Sequence, residues 1–597
     1  MRRFLTSAPS RGVWVAALAT AIGLTGASAH AQQHKKKPAA AAQPAKPGPV
    51  DMDADSAAPA AGPVSADSPT PTPGKKAPKV VDNSPPATAG QPTEAAAQAK
   101  RLYDGEKWWD AAKALYRVSI GETGDDEGNK QIAQFNLAKA LYKLKFYQGA
   151  YSIFSEIADK PNHLKYNETL LWLAKLATDL PEPADIIERV GKYNEEHVGK
   201  FNNKEQQEIY WQLNYLLGRY RYRNGQFPEA LALLEKVDRR SKYYVQAQFF
   251  GGVSNVQMRQ SKPAVEAFQR ILGAIEEGDV EVEDEARMRD LAYLSMARTF
   301  YSASVKVDEK TNAPTVDQTR LSAAVKYWNK VDVASEYWLD ALFEESWAYF
   351  MAGDYSHALG NIHTLEAPYF PHSYYPEADV LKAVIYFANC QYDDALTIVA
   401  KFQGHYQPIR DELSKTLEKF KGENQENEFF KFLKDVRDDK AQLDPKVAPI
   451  VKTSLSDRQL LRNLEYVRLL DEEDARFKKA PNSFKDAKVA DLVKDSVHDA
   501  RELAVRNAGN LARGRYQRNL QDLNEQLRNG QKILIDITAA KRNELDQAMA
   551  NQQVTVEESK ANIVRPDEEH VIWPFQGEYW RDELGFYRQT ITSKCGR

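Results

Sequence analysis

The chain has 597 residues, of which 27% are charged, and its formal net charge is −4. A balance this close to neutral excludes a strong global field that would attract nucleic acid, so we expect no nucleic-acid partner. The only two cysteines, Cys390 and Cys595, are too few for a disulfide-rich scaffold. We expect Cys390 to be a small buried residue inside a helix and Cys595 to be a free thiol in the terminal tail.

The N-terminus, residues 1–31, has the pattern of an export signal. Three arginines accompany an apolar run over residues 13–24, and small residues follow as far as Ala31. The run is too short and too rich in alanine and glycine to favour a permanent span, so we expect a cleaved signal, with an uncleaved anchor as the alternative. The expected product is a soluble periplasmic protein that is not integral in the membrane.

Residues 32–93 are rich in alanine, proline, serine and lysine. A segment of this composition has too little apolar surface to offset the entropy lost on ordering. We predict a disordered tether.

From residue 94 onwards the spacing of small residues indicates a repeat. Three pairs of small residues are 34 residues apart: Gly218 and Gly252, Ala230 and Ala264, and Ala324 and Ala358. Within single units, two small residues recur twelve positions apart: Ala138 and Ala150, Gly218 and Ala230, Gly252 and Ala264, and Ala383 and Ala395. A 34-residue unit made of two short helices explains both spacings.

Each repeated position has a steric reason. A small residue in the first helix (helix A) and another early in the second (helix B) allow the two helices to cross closely. An aromatic residue three positions before the helix-B alanine, such as Phe227 or Tyr355, fills the crossing. Gly225 and Gly353 fall at the turn between the helices, where a left-handed conformation is unstrained only for glycine.

These positions define seven units and one degenerate unit at 166–196. One unit has 27 residues between its two alanines, Ala297 and Ala324, so we expect a polar insertion between its helices. In the first unit we align Trp109 and Ala112 with the helix-B positions, which leaves that unit without a small helix-A residue.

The pattern resembles the tetratricopeptide repeat (TPR) family over residues 94–405. That resemblance implies an all-α fold, a TPR-type α-solenoid in which helix pairs form a right-handed superhelix with a concave groove. It also implies a role as a scaffold or adaptor. A long-helix C-terminal region would follow the solenoid.

The rest of the chain divides into three parts. Residues 406–481 contain charged helical segments, and residues 482–565, which lack proline, predict a long helix with coiled-coil-like spacing. We expect this helix either to fold back on the solenoid or to mediate association. Residues 566–597 form an aromatic tail that either caps the long helix or docks a partner, through Trp573, Tyr579 and Trp580.

Motifs for catalysis or for metal binding are missing from the sequence. It contains no phosphate-binding glycine loop, no nucleophile elbow and no zinc-protease motif. His357 and His363 are six residues apart, which does not place two ligands on one helical face. We therefore expect no enzyme activity, no cofactor and no metal.

The predicted groove is the remaining candidate site. Counting from the small helix-A residues, we expect the groove to be basic and aromatic, a combination that suits a peptide with carboxylates and apolar anchors. The alternative is that the aromatic residues pack between helices. The repeat does not explain Arg219, Tyr222 and Arg223, so we expect a partner there. The groove candidates are Tyr142, Tyr215, Arg219, Tyr222, Arg223, Phe249, Trp347 and Phe350.

Together these features predict a periplasmic scaffold that binds one or more proteins of a cell-envelope complex. The layout and the tail WPFQGEYWRDELGFYR resemble periplasmic TPR components of the adventurous gliding motility machinery of myxobacteria, which implies a role in motility. Two alternatives are a factor for outer-membrane protein or polysaccharide assembly, and an enzyme or carbohydrate-binding protein with a C-terminal site. The sequence leaves the oligomeric state open.

Overall fold

The structure, a computed structural model, is an all-α solenoid, as the sequence predicts. The predicted signal and residues 32–86 of the predicted tether lie outside the described residues. The described residues are 87–307, 314–370, 373–422, 425–438, 440–445, 447–454, 458–549, 559–562 and 564–595.

Eight helical units follow one another from Glu94. The units are α1 (Glu94–Asp104) with α2 (Trp108–Ser119), α3 (Glu127–Lys143) with α4 (Tyr147–Ala158), α5 (Tyr166–Asp179) with the short α6 (Ile186–Val190) and α7 (Glu195–Gly199), α8 (Gln207–Arg223) with α9 (Phe227–Leu234), α10 (Tyr244–Gln257) with α11 (Ser261–Glu277), α12 (Glu285–Ser304) with α13 (Gln318–Trp328), α14 (Trp338–Ala352) with α15 (Tyr355–Leu365), and α16 (Pro376–Ala388) with α17 (Tyr392–Glu418). The degenerate unit is the one built from α5 to α7.

The small residues lie where the helices of a pair cross. A Cβ atom added to Gly252 would lie 2.5 Å from the ring of Phe268, and one added to Gly218 would lie 2.9 Å from the side chain of Leu234. The helix-B alanines Ala230 and Ala264 have no exposed surface. Close helix crossing therefore explains the repeated small residues.

The turns between paired helices share one backbone conformation. Gly225 and Gly353 have φ of +71° and +77°, as predicted from their position. Lys145, Arg259 and Cys390 occupy the same turn position in other units with φ between +55° and +63°. The expectation that Cys390 lies inside a helix was wrong, because Cys390 is the turn residue between α16 and α17.

In the first unit the alignment made from the sequence was wrong by one residue. Glu106 has the positive φ of the turn, which places Trp108 and Ala111 at the helix-B positions. Ala99, twelve residues before Ala111, is fully buried in α1. The first unit therefore does have a small helix-A residue.

The predicted insertion begins at the end of α12. Two short strands, β1 (Val305–Val307) and β2 (Pro314–Val316), pair antiparallel before α13 begins. The described ends of the insertion therefore form a two-stranded antiparallel pair between the two helices of its unit.

Beyond α17 the chain folds back along the solenoid. It forms α18 (Glu426–Arg437), α19 (Ala448–Ser454), α20 (Arg458–Lys478), the short α21 (Asn482–Lys485) and the 61-residue α22 (Val489–Met549). Leu523, Leu527 and Ile537 of α22 are buried in a cluster with residues of α16 and α17. At Gly530 an added Cβ would lie 3.3 Å from Phe402, so this glycine allows α22 to approach α17 closely.

The C-terminal tail, residues 564–595, lies on the last two helical units. Strand β3 (Ser559–Asn562) pairs with β4 (Ile591–Ser593), and a 3₁₀ turn covers Arg581–Glu583. A disulfide joins Cys390 to Cys595, whose Cα atoms are 5.0 Å apart. The expectation of a free Cys595 thiol was wrong, because the tail returns to the turn that holds Cys390.

Candidate protein-interaction surfaces

The first candidate surface is the face formed by the A helices, where an aromatic pair recurs. Tyr142 packs on Tyr147 with ring centroids 5.2 Å apart, and Tyr222 packs on Phe227 at 5.7 Å. Phe350 makes the same contact with Tyr355, again five residues later, at 5.8 Å. These aromatic residues therefore help to close the turn between helices A and B.

Two other groove candidates pack between helices, and a third, Trp347, packs on a residue of its own helix. Tyr215 stacks on Tyr243 at 5.2 Å, and Phe249 contacts Phe268 at 5.5 Å. Trp347 is partly buried and lies 5.8 Å from Phe350. Most of the predicted aromatic groove residues thus contribute to packing of the free chain. Their part in binding a partner stays a prediction.

The groove arginines have partners inside the chain. Arg219 donates to Glu182 at 2.5 Å, and Arg223 donates to the same carboxylate. Arg462 of α20 contacts the other oxygen of Glu182 at 3.0 Å. The guanidinium of Arg219 also lies 4.9 Å from the ring centroid of Phe250. The expectation that these arginines are surplus to the fold was therefore wrong, since they pair with Glu182 inside the solenoid, and the same carboxylate pairs with Arg462 of α20.

Helix α20 is hydrogen-bonded to the start of α4. The carboxylate of Glu473 accepts the backbone N–H groups of Gln148 at 3.0 Å and Gly149 at 3.1 Å. These are donors of the first helical turn, which otherwise lack partners, so Glu473 caps α4 from a distant part of the chain. Burial raises the pKa of Glu473 to about 7. The sequence offered no signal for this contact, because the partners are 325 residues apart.

The second candidate surface is the aromatic tail. Trp573 and Trp580 stack with ring centroids 4.3 Å apart. Tyr579 stacks on His363 of α15 at 4.6 Å, and its backbone oxygen accepts the hydroxyl of Tyr369 at 2.8 Å. The structure thus brings together the three tail residues predicted as a docking motif.

The tail is held on α15 by contacts that sequence reasoning missed. An added Cβ at Gly360 would overlap the carbonyl oxygen of Tyr587, so the tail backbone passes directly over this glycine. The N–H of Gly585 donates to the hydroxyl of Thr364 at 3.0 Å, and Leu584 is buried. Glycine within a helix was the only sequence signal for this approach.

His363 lies at the centre of this contact. Its ring meets Phe575 and Tyr579 at 4.6 Å and Tyr587 at 5.1 Å. Burial lowers the pKa of His363, and nearby Glu366 opposes the shift. Burial also raises the pKa of Tyr579 to about 12. Both shifts favour the neutral form of the side chain, so the contact is apolar in character.

Five large apolar side chains of the tail are exposed to solvent. We call this set the tail platform, and it consists of Val571, Ile572, Phe575, Trp580 and Phe586. Their exposed fractions lie between 41% and 79%. Exposed apolar side chains concentrated in one short segment are a common feature of interaction surfaces.

Two properties of the described residues bear on ligands and membranes. None of the helices in this part of the chain has the length and apolar character needed to cross a membrane. Within the same residues, no three or more His, Cys, Asp or Glu side chains are grouped to hold a metal ion.

Comparison with known proteins adds little about function. No family model matches the sequence, and no curated protein matches it. One similar solved structure is a Rap protein complexed with competence and sporulation factor, which is 14% identical, has a TM-score of 0.22, and aligns over 69% of this chain and 98% of its own. Another is a circular tandem repeat protein with novel repeat topology, 12% identical with a TM-score of 0.11, aligned over 76% of this chain and 99% of its own. At these scores the fold assignment rests on the helix pairs themselves.

Proposed function

We propose that this chain is an exported scaffold without enzyme activity that binds protein partners in a cell-envelope complex, in a role such as gliding motility. The tail platform is the observation that carries the proposal. It combines exposed aromatic side chains with a rigid attachment to the solenoid, as expected for a preorganised binding surface.

The disulfide supports the periplasmic part of the proposal. Disulfides persist in oxidising compartments such as the bacterial periplasm and are rare in the cytosol. Cys390 and Cys595 are the only cysteines of the chain, and they form one bond. The N-terminal arginines, apolar run and small residues agree with export.

The helix-A face is a second part of the same proposal. Arg219 and Arg223 already pair with Glu182, so a partner carboxylate would exchange with Glu182. Replacing both arginines with glutamine tests this contact. We expect weaker partner capture together with a lower melting temperature, because the ion pairs also hold the fold. Unchanged capture would remove this face from the proposal.

Crosslinking in the native host tests the proposed function. The full chain, with its own signal, is crosslinked in cells and the captured proteins are identified by mass spectrometry. We expect envelope proteins whose yield falls in the Ile572→Ser/Phe586→Ser variant but not in a control variant, Ile535→Ser/Leu545→Ser, which changes exposed residues of α22. Capture that does not depend on the tail would contradict the proposal, and capture of assembly factors alone would replace motility with envelope assembly.

A further inference from the structure

Two aromatic side chains of the tail platform, Trp580 and Phe575, are exposed but held in place. Trp580 stacks on Trp573, and its backbone N–H donates to the hydroxyl of Tyr587 at 2.8 Å. Phe575 packs on His363. At the far end, the backbone N–H of Lys594 donates to an oxygen in the α16–α17 turn, next to the disulfide. A ligand would therefore meet side chains that lose little conformational freedom on binding.

The segment that carries the platform is acidic, and we call its exposed acidic side chains the acidic rim. Residues 564–588 contain six acidic side chains and three arginines, which gives this segment a formal charge of −3. Five of the acidic side chains are exposed, namely Asp567, Glu568, Glu569, Asp582 and Glu583. This balance favours a positively charged ligand and disfavours an anionic lipid surface.

The platform is small compared with a stable protein interface. Fully exposed aromatic side chains present roughly 150–250 Å² each and aliphatic ones somewhat less, so three aromatic and two aliphatic side chains exposed in part offer on the order of 500 Å². A stable dimer buries about 800 Å² on each partner. The area therefore suits a short segment rather than a second copy of this chain.

A short segment on a small surface binds well only if it loses little entropy. Flexible peptides pay a large ordering cost, whereas proline-rich peptides already adopt the extended polyproline helix. Flat aromatic side chains are the surfaces on which such peptides dock. An acidic rim adds a preference for lysine or arginine beside the prolines.

We infer that the tail platform binds an extended proline-rich segment that carries lysine or arginine, supplied by a partner protein. This inference rests on the proposed function and specifies the class of partner for the tail. The exposed faces of Trp580, Phe575 and Phe586 contact the proline rings, and the acidic rim pairs with the flanking basic residues.

Fluorescence polarisation with the full oxidised chain tests the inference. The probe is a fluorescein-labelled peptide of about eight prolines with two lysines at each end, roughly 25 Å long as a polyproline helix. One comparison peptide replaces the lysines with glutamates, and another replaces the prolines with alternating glycine and serine. We expect the lysine–proline probe to bind at least about tenfold more tightly than either comparison peptide.

Variants locate the binding on the platform. Ile572→Ser/Phe586→Ser removes two exposed side chains, and we expect about tenfold weaker binding of the probe. Ile535→Ser/Leu545→Ser on α22 is the matched control, with binding expected to equal that of wild type. Circular dichroism and thiol labelling establish that each variant is folded and oxidised.

The outcomes separate the inference from the proposed function. Equal binding of the glutamate or the glycine–serine peptide overturns the inference, as does equal binding by the platform variant. If the chain binds vesicles of phosphatidylglycerol and phosphatidylethanolamine but does not bind the probe, the inference is overturned in favour of a lipid surface. If the probe does not bind while crosslinking in cells still depends on the tail, the inference fails and the proposed function stands. If neither depends on the tail, both fail.

Discussion

The solenoid and the C-terminal region are both helical, but they are held together by contacts of different range. In the solenoid, Gly218 meets Leu234 and Gly252 meets Phe268, each sixteen residues later. In the C-terminal region, the side chain of Glu473 bonds to backbone 325 residues away, and a disulfide joins residues 205 apart. Local contacts repeat from unit to unit, whereas each long-range contact occurs once.

Helix α22 shows what the long-range contacts add. Near its start, Val493 lies beside Gly149 of the second helical unit, and farther along Gly530 lies against Phe402 of the last unit. These two residues of α22 are 37 positions apart, which corresponds to about 56 Å along a helix. A solenoid alone contacts only neighbouring units. This helix therefore joins units that a solenoid alone would leave without contact.

The disulfide links the C-terminal region to the solenoid, and its removal should have the largest effect of the changes that separate the two regions. The bond closes a segment of 205 residues, and the chain-entropy model assigns such a loop a stabilisation on the order of 5 kcal/mol. We expect the Cys390→Ser/Cys595→Ser variant to unfold at clearly lower urea concentration than the oxidised wild type. Chemically reduced wild type is the control and should match the variant. Equal midpoints for all three would show that the bond does not stabilise the chain.

Overpacking a helix crossing tests the solenoid itself. Leucine at position 218 would collide with Leu234, and we expect Gly218→Leu to lower the free energy of unfolding by about 1–3 kcal/mol. Thermal melting measures the change. Gly404→Ala is the matched control, since this exposed helical glycine has no atom within 4 Å of an added Cβ. The control should gain up to about 1 kcal/mol. A Gly218→Leu variant that melts like wild type would contradict the observed crossing.

Glu473→Gln tests the contact that docks α20 on the solenoid. Glutamine keeps one acceptor oxygen but turns an N–H group towards the second backbone donor. We expect a loss of about 1 kcal/mol, measured as faster hydrogen exchange in α20 and at the start of α4. The neighbouring Glu472→Gln variant is the control, because Glu472 is exposed and pairs only within α20. Similar exchange in both variants would rule out the capping contact.

Acidification should weaken the attachment of the tail to the solenoid, and this is the smallest of the expected effects. Burial lowers the pKa of His363, so the docked tail favours neutral histidine. The attachment is complete above the free-histidine pKa of about 6.5 and weakens as pH falls towards the lowered value. We expect proteolysis of the tail to be faster at pH 5 than at pH 7.5.

The His363→Phe variant is the control for this pH effect. Phenylalanine keeps a ring between Tyr579 and Tyr587 but cannot titrate. Tail proteolysis of the variant, corrected for protease activity, should not change between the two pH values. An equal pH response in variant and wild type would assign the effect to another group.

Prediction from sequence succeeded where a local steric or backbone requirement can be met by only one or two residue types. Gly225 and Gly353 have the left-handed turn conformation expected of them, and Ala230 and Ala264 are buried at crossings. It was wrong by one residue in the first unit, where the adjacent alanines Ala111 and Ala112 are both buried and give no clear register. The candidate sites were harder, because aromatic side chains are suited both to helix packing and to binding.

The sequence by itself determined the helix pairs, their crossings and their turns, because these depend on residues less than one repeat apart and recur in most units of the solenoid. Only the tertiary structure decided which distant segments of the chain pack on the helix pairs. Glu182 gathers arginines from α8 and α20, Gly360 admits the tail backbone, and Cys390 meets Cys595. Each of these contacts occurs only once and joins residues that are far apart in the sequence, so no periodicity in the sequence predicts it.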